Sequence, residues 1–435
     1  MRFVTTLLLV FLCLGAYCQS LFGSGPMIGH VDKETANIWT AAHASVNKLS
    51  LTYWPKETQS EKKEVSYAGD LNKKYKTAIF NLTSLTPATE YEYSLSAETG
   101  AAGEIATGSF KTQGTDLYPD FSFLTGSCAS NVLDTSIFTT MANTPADIMV
   151  WLGDNWYLPN QIDNADILWE GAGYARGQAV MGPLLKAMPH YATWDDHDFG
   201  PNNSDKDFKF KKESREAFID FWANPFYGDG KDGIYTKFSY GDVNFYLLDD
   251  RWWRSNDREP AYTGIRRKVN PKKRMFGKRQ LNWLKNELKE SKASFNIIVT
   301  GSQVLNANTK YDCLYHFPAE YNDLMEFLQN SRINGVLFLT GDRHHSEIIR
   351  QTRNGHYTLY DITVSPFTSG THKVEKEAGN PQRVQGTLID EKQNFARVSI
   401  SGNEGNRKLH IGFFGVKGEK LAEWEVSQRD LSYSK

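Results

Sequence analysis

Apolar and polar positions follow two different rules along this chain. Up to about residue 113 they alternate over short runs, Ala36 to Ala42, Lys48 to Trp54, Lys76 to Leu82 and Tyr91 to Ala97, divided by Gly, Pro, Asn and charged turns. In the last run Tyr91, Tyr93 and Leu95 share one face while Glu92 and Ser94 take the other, the period of a half-buried sandwich strand. From Asp120 onward continuous apolar runs take over. FNIIVTG and GVLFLTG read as strands buried on both faces, as do Phe121 to Thr125 and Ile148 to Leu152. Helical spacing intervenes near Asp134 to Met141, at Leu184 to Met188, in AEYNDLMEFLQN and at Leu281, Leu284 and Leu288. After Asp361 alternating strands return near Arg397 to Ser401, Lys408 to Phe413 and Leu421 to Val426. The pattern predicts an all-β module over 21–113, similar to fibronectin-III or immunoglobulin-like sandwiches, followed by an α/β region over 120–430.

With 435 residues, 40% hydrophobic and 23% charged, the chain is long enough for one large domain and a smaller one. Its formal net charge of -2 gives no overall pull toward nucleic acid or an anionic membrane, and no nucleic-acid-binding module is expected. Residues 1–18 carry Arg2, an apolar stretch from Leu7 to Leu14 and the small residues Gly15 and Ala16, the order of an export signal, so the mature chain is expected to begin near Gln19 in the periplasm or outside the cell. Bulky Tyr17 argues against acylation at Cys18. No later apolar run is long enough to span a bilayer. Cleavage would leave only Cys128 and Cys313, and their context allows either a single disulfide, two buried thiols or a metal-binding Cys128.

Four carboxylate-rich strings follow strand-like runs: GDNWY after DIMVWL, DDHDFGPNN after HYATW, DDR after VNFYLL and GDRHH after GVLFLT. Open α/β sheets place their ligands beyond the carboxyl ends of the strands, so these strings should meet at one metal-rich site. A glycine-aspartate pair after a strand is by itself a common turn, and the case for Asp154 as a ligand shared by two cations rests on the recurrence. Asp195 to Asp198 place three carboxylates and an imidazole in a row, an arrangement whose mutual repulsion calls for cations among them. Alternation along an extended segment assigns Asp196 to metal and His197 to proton transfer or orientation, with Asp195 and Asp198 unassigned. Asn202 and Asn203 offer neutral oxygens suited to a hard cation. In GDRHHSE the spacing Asp-x-His would put Asp342 and His344 on one side of an extended segment. Arg251 offers a two-pronged set of donors for phosphate, or a structural ion pair with Asp249 and Asp250. The basic stretch Arg266 to Arg274 either gathers anionic substrate or is a solvated loop.

Taken in order, GSC, LGDNWY, YATWDDHDFGPNN, LLDDRW, TGSQVL and FLTGDRHH resemble the PhoD-type alkaline phosphatase family, a variant of the metallophosphoesterase superfamily. The resemblance implies an αββα metallophosphoesterase-like sandwich behind a small β-sandwich. Cys128 stands at the second ligand place of the superfamily's first block, where Gly126 replaces the aspartate, and Asp342 and His344 stand where two histidines are usual. By the same resemblance the metals are iron (Fe3+), bound through Cys128, and calcium (Ca2+), bound by carboxylates; the expected ligand set is Cys128, Asp154, Asp196, Asn203, Asp342 and His344. Tyr174 and Arg251 are the implied phosphate contacts, and His197 assists the leaving group. The expected activity is hydrolysis of phosphomonoesters or phosphodiesters by an exported metalloenzyme. Two rivals are a phosphodiesterase specialised for phospholipid or cell-wall polymer, and a non-catalytic metal-containing binding protein.

Overall fold

The computed structural model describes residues 20–71, 73–130, 133–374 and 377–433. Its first seven strands are β1 (Phe22–Val31), β2 (Ala36–Ala42), β3 (Lys48–Pro55), β4 (Lys63–Ser66), β5 (Lys76–Leu82), β6 (Glu90–Glu98) and β7 (Gly103–Lys111). They form two antiparallel sheets, β1-β2-β5 and β4-β3-β6-β7. Tyr91, Tyr93 and Leu95 point inward to meet Ile38, Leu51 and Phe80, as their alternation predicts. The three strands beyond the expected four have weaker patterns. Glycine and proline interrupt β1, whose register slips three times, β4 is short and has no buried residue, and the edge strand β7 leaves Ile105 67% exposed.

The second region opens with β8 (Phe121–Gly126), α1 (Ser136–Ala142), β9 (Ile148–Leu152), α2 (Asp166–Arg176), α3 (Met181–Ala187), β10 (His190–Thr193), α4 (Asp196–Phe199) and α5 (Lys211–Phe221). It continues through β11 (Thr236–Tyr240), β12 (Val243–Leu247), the small hairpin of β13 (Tyr262–Thr263) and β14 (Lys268–Val269), α6 (Gly277–Glu290), β15 (Phe295–Thr300), α7 (Pro318–Asn330) and β16 (Val336–Thr340). The last strands are β17 (Glu347–Gln351), β18 (Leu359–Thr363), β19 (Asn394–Ser401), β20 (Lys408–Gly415) and β21 (Lys420–Ser427).

Two six-stranded mixed sheets result, ordered β10-β9-β8-β19-β20-β21 and β11-β12-β15-β16-β18-β17. Their inner faces share one apolar core, with Phe123, Val150 and Leu152 from one sheet and Phe245, Ile297, Val299 and Leu339 from the other. The outer faces are covered by helices. Ile137, Leu168, Leu184 and Phe218 cover the first sheet, while Leu281, Leu284, Leu288, Leu324 and Leu328 cover the second. This is the helix, sheet, sheet, helix layering expected, and it explains why the central strands β8, β9, β15 and β16 read as continuous apolar runs: both of their faces are buried. β8, β9 and β10 run parallel to one another, and so do β12, β15, β16 and β18, so each set ends on a common edge. Bonds across the layers join those two edges, from Ser127 Oγ to the Val364 carbonyl at 3.0 Å and from Thr193 Oγ1 to the Leu248 carbonyl at 2.5 Å.

Candidate metal centre

Where β9 ends, Gly153 has φ +90°, and a Cβ there would stand 2.7 Å from Asp195 Cβ and 2.8 Å from its backbone nitrogen. Only glycine lets the turns after β9 and β10 approach so closely. This turn delivers Asp154, itself at φ 51°, to the strand-end edge. Its neighbours Cys128 (φ 63°), Asn203 (φ 60°), Asp342 (φ 68°) and His344 (φ 54°) are also left-handed, so five of the ten described non-glycine residues with positive φ fall among the six expected ligands. Such backbone strain persists where surrounding structure over-determines it, commonly at functional sites.

The side chains meet as follows. Asp154 Oδ2 accepts from Tyr157 Oη at 3.1 Å and lies 3.5 Å from Cys128 Sγ, while Oδ1 accepts from the His197 N–H at 3.2 Å. Ligand atoms of Cys128, Asp154 and His344 lie within 4.8 Å of one another, and so do those of Asp154, Asp196 and His197. Asp154 is common to both groups, the position expected of a bridging carboxylate. Asp342 and Asn203 line the same pocket, and the Asn203 N–H donates to Asp196 Oδ2 at 2.6 Å.

The electrostatics fit a cation. Burial raises the Asp154 pKa well above the usual carboxylate range, and the neighbouring Cys128, Asp196, Asp198 and Asp342 add to the rise. Burial, with Asp312 and Asp196 behind it, pushes Asp342 up to about 7. Burial also pushes the Cys128 thiol up to about 11. A positive charge at the centre of these groups would reverse each shift. Asp196 goes the other way: burial would raise it, but Arg251, His197 and the Asn203 N–H together hold it below its ordinary value. Nδ1 of both His197 and His344 is buried without a hydrogen-bond partner among the described residues. The mixed thiol, carboxylate and imidazole donor set therefore suits metal binding.

Local structure differs from the extended segments anticipated. Asp195 caps a helical turn: its Oδ1 accepts from the Asp196 N–H at 2.9 Å, and Asp198 Oδ2 accepts from the Asp195 N–H at 3.0 Å. Asp198 also accepts from the Asn155 N–H at 2.8 Å, which ties the turn after β9 to α4. Capping, not strand alternation, thus separates the four side chains, leaving Asp196 and His197 on the pocket. Asp342 and His344 likewise reach the pocket from a tight turn in which the Arg343 N–H donates to the Gly341 carbonyl at 2.8 Å. Cys128 and Cys313 are both buried and free, so the disulfide alternative is not realised.

Two expected phosphate contacts are not at the pocket. Arg251 has 0% exposure and is locked by Asp195, by Asp312 Oδ2 at 2.9 Å, by Asp250 Oδ1 at 3.8 Å and by the Ser204 carbonyl at 3.4 Å, so its donors are taken up by the protein itself. Tyr174 is 66% exposed on α2, on the face opposite the buried Leu168, Ala172 and Ala175, and does not line the pocket. The structure supplies other groups. Tyr157, three residues after Asp154 in the GDNWY string, stacks on His197 with ring centroids 4.1 Å apart and lies 3.2 Å from His344 Nε2. Arg254, Lys273, Lys310, Tyr311, His316 and His372 complete a pocket of about 530 Å³. Arg254 follows Arg251 by three residues, across a turn in which its N–H donates to the Arg251 carbonyl at 3.1 Å; Lys310 and Tyr311 follow no strand-like run and carry no sequence signal.

Three comparisons bear on this centre. A family model described as PhoD-like phosphatase matches residues 172–411. Alkaline phosphatase D of Bacillus subtilis (strain 168) is 29% identical over 200 residues, 39% of this chain and only 33% of that relative's length. Among solved structures, that of PhoD superposes with TM-score 0.79 at 18% identity, covering 96% of this chain and 92% of the other. A purple acid phosphatase from yellow lupin (Lupinus luteus) seeds gives TM-score 0.68 at 12% identity, covering 93% and 75%. These structural likenesses concern the fold, while the family match spans more than half of the sequence. The chain belongs to the PhoD-like phosphatase family.

Proposed function

We propose that this protein is an exported, metal-dependent phosphoric ester hydrolase acting on phosphomonoesters, phosphodiesters or both. The observation that carries the proposal is Asp154, a buried carboxylate shared by two groups of closely spaced ligand atoms at the floor of a pocket. Cys128, Asp154 and His344 would hold one cation, the thiol favouring iron; Asp154 and Asp196, with Asn203 and Asp342 nearby, would hold a hard one such as calcium. Bound there, such cations neutralise phosphoryl oxygens and acidify water.

The chain's own groups do the rest. Lys273, Lys310 and Arg254 line the pocket; Asp312 and Asp257 hold Arg254, the carbonyls of Asp257 and Glu259 hold Lys273, and Lys310 is the side chain placed to orient an anionic ester. Tyr157 keeps its phenol proton, since burial and the nearby Asp154 hold its pKa well above the usual value, and so remains a hydrogen-bond donor to Asp154. Burial lowers the His197 pKa, so its imidazole rests neutral and would relay to the departing oxygen a proton taken from the attacking water. The proposal includes a modular division at about residues 113–120, supported by the separate apolar core of the β-sheets. Export rests on residues 1–18, which lie outside the described residues. No helix among the described residues is long and apolar enough to cross a membrane.

The test is a panel of mono- and diester substrates assayed with the full chain as purified, after chelation and after restoring single metals, alongside elemental analysis. Activity should vanish on chelation and return with metal, and Cys128→Ser should lose iron first. Chelation-resistant turnover would overturn the metal assignment; absence of turnover on every ester, with metal bound, would favour the binding-protein rival.

A further inference from the structure

The hairpin of β13 and β14 plays no part in the proposed chemistry. Tyr262 pairs with Val269 and Thr263 with Lys268, and the Arg267 N–H donates to the Gly264 carbonyl at 3.0 Å to close the turn. Every residue from 262 to 269 is exposed, and Ile265 at the tip shows its entire side chain to solvent. Tyr262 and Val269 are 43% and 38% exposed on the paired strands. Around this apolar tip stand Arg266, Arg267 and Lys268. The stretch 258–279 holds nine Lys and Arg against the single carboxylate of Glu259, in a chain whose formal net charge is -2. Glu259 is engaged in turn, accepting from Asn270 Nδ2 at 2.7 Å.

A fully exposed isoleucine costs apolar hydration that packing elsewhere on the chain does not relieve, and clustered cations repel one another. Both costs turn into gains at an anionic lipid surface, where the aliphatic tip enters the headgroup boundary and the cations meet lipid phosphates. We infer that the hairpin docks the protein onto a bilayer surface rich in anionic lipid. A soluble polyanion would engage the cations but leave Ile265 in water, so the apolar tip is what favours a membrane. The hairpin is tied to the pocket rim: Lys273 Nζ bonds the carbonyls of Glu259 at 2.8 Å and Asp257 at 3.3 Å, and both Lys273 and Asp257 line the pocket. Docking therefore holds the pocket mouth near the lipid surface. It does not depend on the reaction proposed for that pocket.

The experiment is co-sedimentation of the full chain with phosphatidylcholine vesicles, with and without phosphatidylglycerol. Binding should require phosphatidylglycerol. Replacing Arg266, Arg267 and Lys268 together by Gln should weaken it about a hundredfold, and Ile265→Ser about tenfold, with hydrolysis of a small soluble ester unchanged in both. Equal vesicle binding by native protein and the triple variant would overturn the inference. So would an unaffected Ile265→Ser protein whose vesicle binding is displaced by soluble polyphosphate, which would assign the patch to a soluble polyanion instead.

Discussion

Asp154 and Arg251 show how differently two charged side chains of adjoining strand ends can be used. Asp154 faces the pocket with anionic neighbours on several sides, and burial among them holds its pKa above the usual carboxylate range. Asp154→Asn keeps the shape but removes the charge shared by both ligand groups, so turnover should fall by orders of magnitude, and metal content with it, while the thermal transition stays cooperative. Near-normal turnover with full metal content would refute the bridging role. Arg251 faces groups of the protein, the carboxylates of Asp195, Asp250 and Asp312 and the carbonyl of Ser204. Arg251→Ala leaves the buried carboxylates of Asp195 and Asp250 without their cation, while Asp312 keeps Arg254, and should destabilise the fold by about 3–5 kcal/mol, read as a lower urea midpoint. A variant of native stability with a raised KM alone would restore Arg251 to substrate binding.

Among elements, β1 carries the joint between the N-terminal sheets and the second region. The His30 N–H donates to the Ala223 carbonyl at 2.9 Å, Ser24 Oγ to the Arg176 carbonyl at 2.6 Å, and Trp39 Nε1 on β2 to the Asp220 carbonyl at 2.7 Å. This contact requires Gly29, because a Cβ there would collide with Ala223 Cβ and stand 2.8 Å from its carbonyl oxygen. Gly29→Val should therefore cost about 1–3 kcal/mol through overpacking, seen in urea unfolding, although position 29 touches no pocket residue. Unchanged stability would show that the two regions are joined more loosely than the packing indicates.

One buried imidazole should cost the whole molecule stability toward acid. His190 is fully buried in β10; its Nδ1 accepts from Trp151 Nε1 at 3.0 Å, and its Nε2 faces the Leu184 carbonyl at 2.9 Å, so the ring is neutral and fully used. Burial pushes its pKa down to about 3, against about 6.5 in an unfolded chain. Between those values the unfolded state binds a proton that the native state refuses, so the contribution is complete above pH 6.5 and is lost as pH falls toward 3. The loss is on the order of 5 kcal/mol. His190→Gln retains an acceptor and a donor without titrating, and its unfolding free energy should vary less steeply between about pH 6.5 and 4. An identical slope in both proteins would place the acid sensitivity elsewhere.

Regular elements and their order were legible in the sequence because strand and helix periods are local. Ile148–Leu152 forms as its apolar run predicts, and Tyr91, Tyr93 and Leu95 point inward on β6 as their alternation requires. The convergence of Asp154, Asp196, Asp342 and His344 was legible too, since each follows a strand that ends on a shared edge. What each charged side chain faces was not. Whether Arg251 meets a ligand or three carboxylates depends on Asp195 and Asp312, 56 and 61 positions away. Whether Tyr174 or Tyr157 reaches the centre depends on how α2 is rotated against its sheet. Charge and exposure are set by neighbours brought together only when the layers pack. The residues at the strand ends therefore announced the centre, and tertiary contacts alone divided them into those that serve it and those that hold it in place.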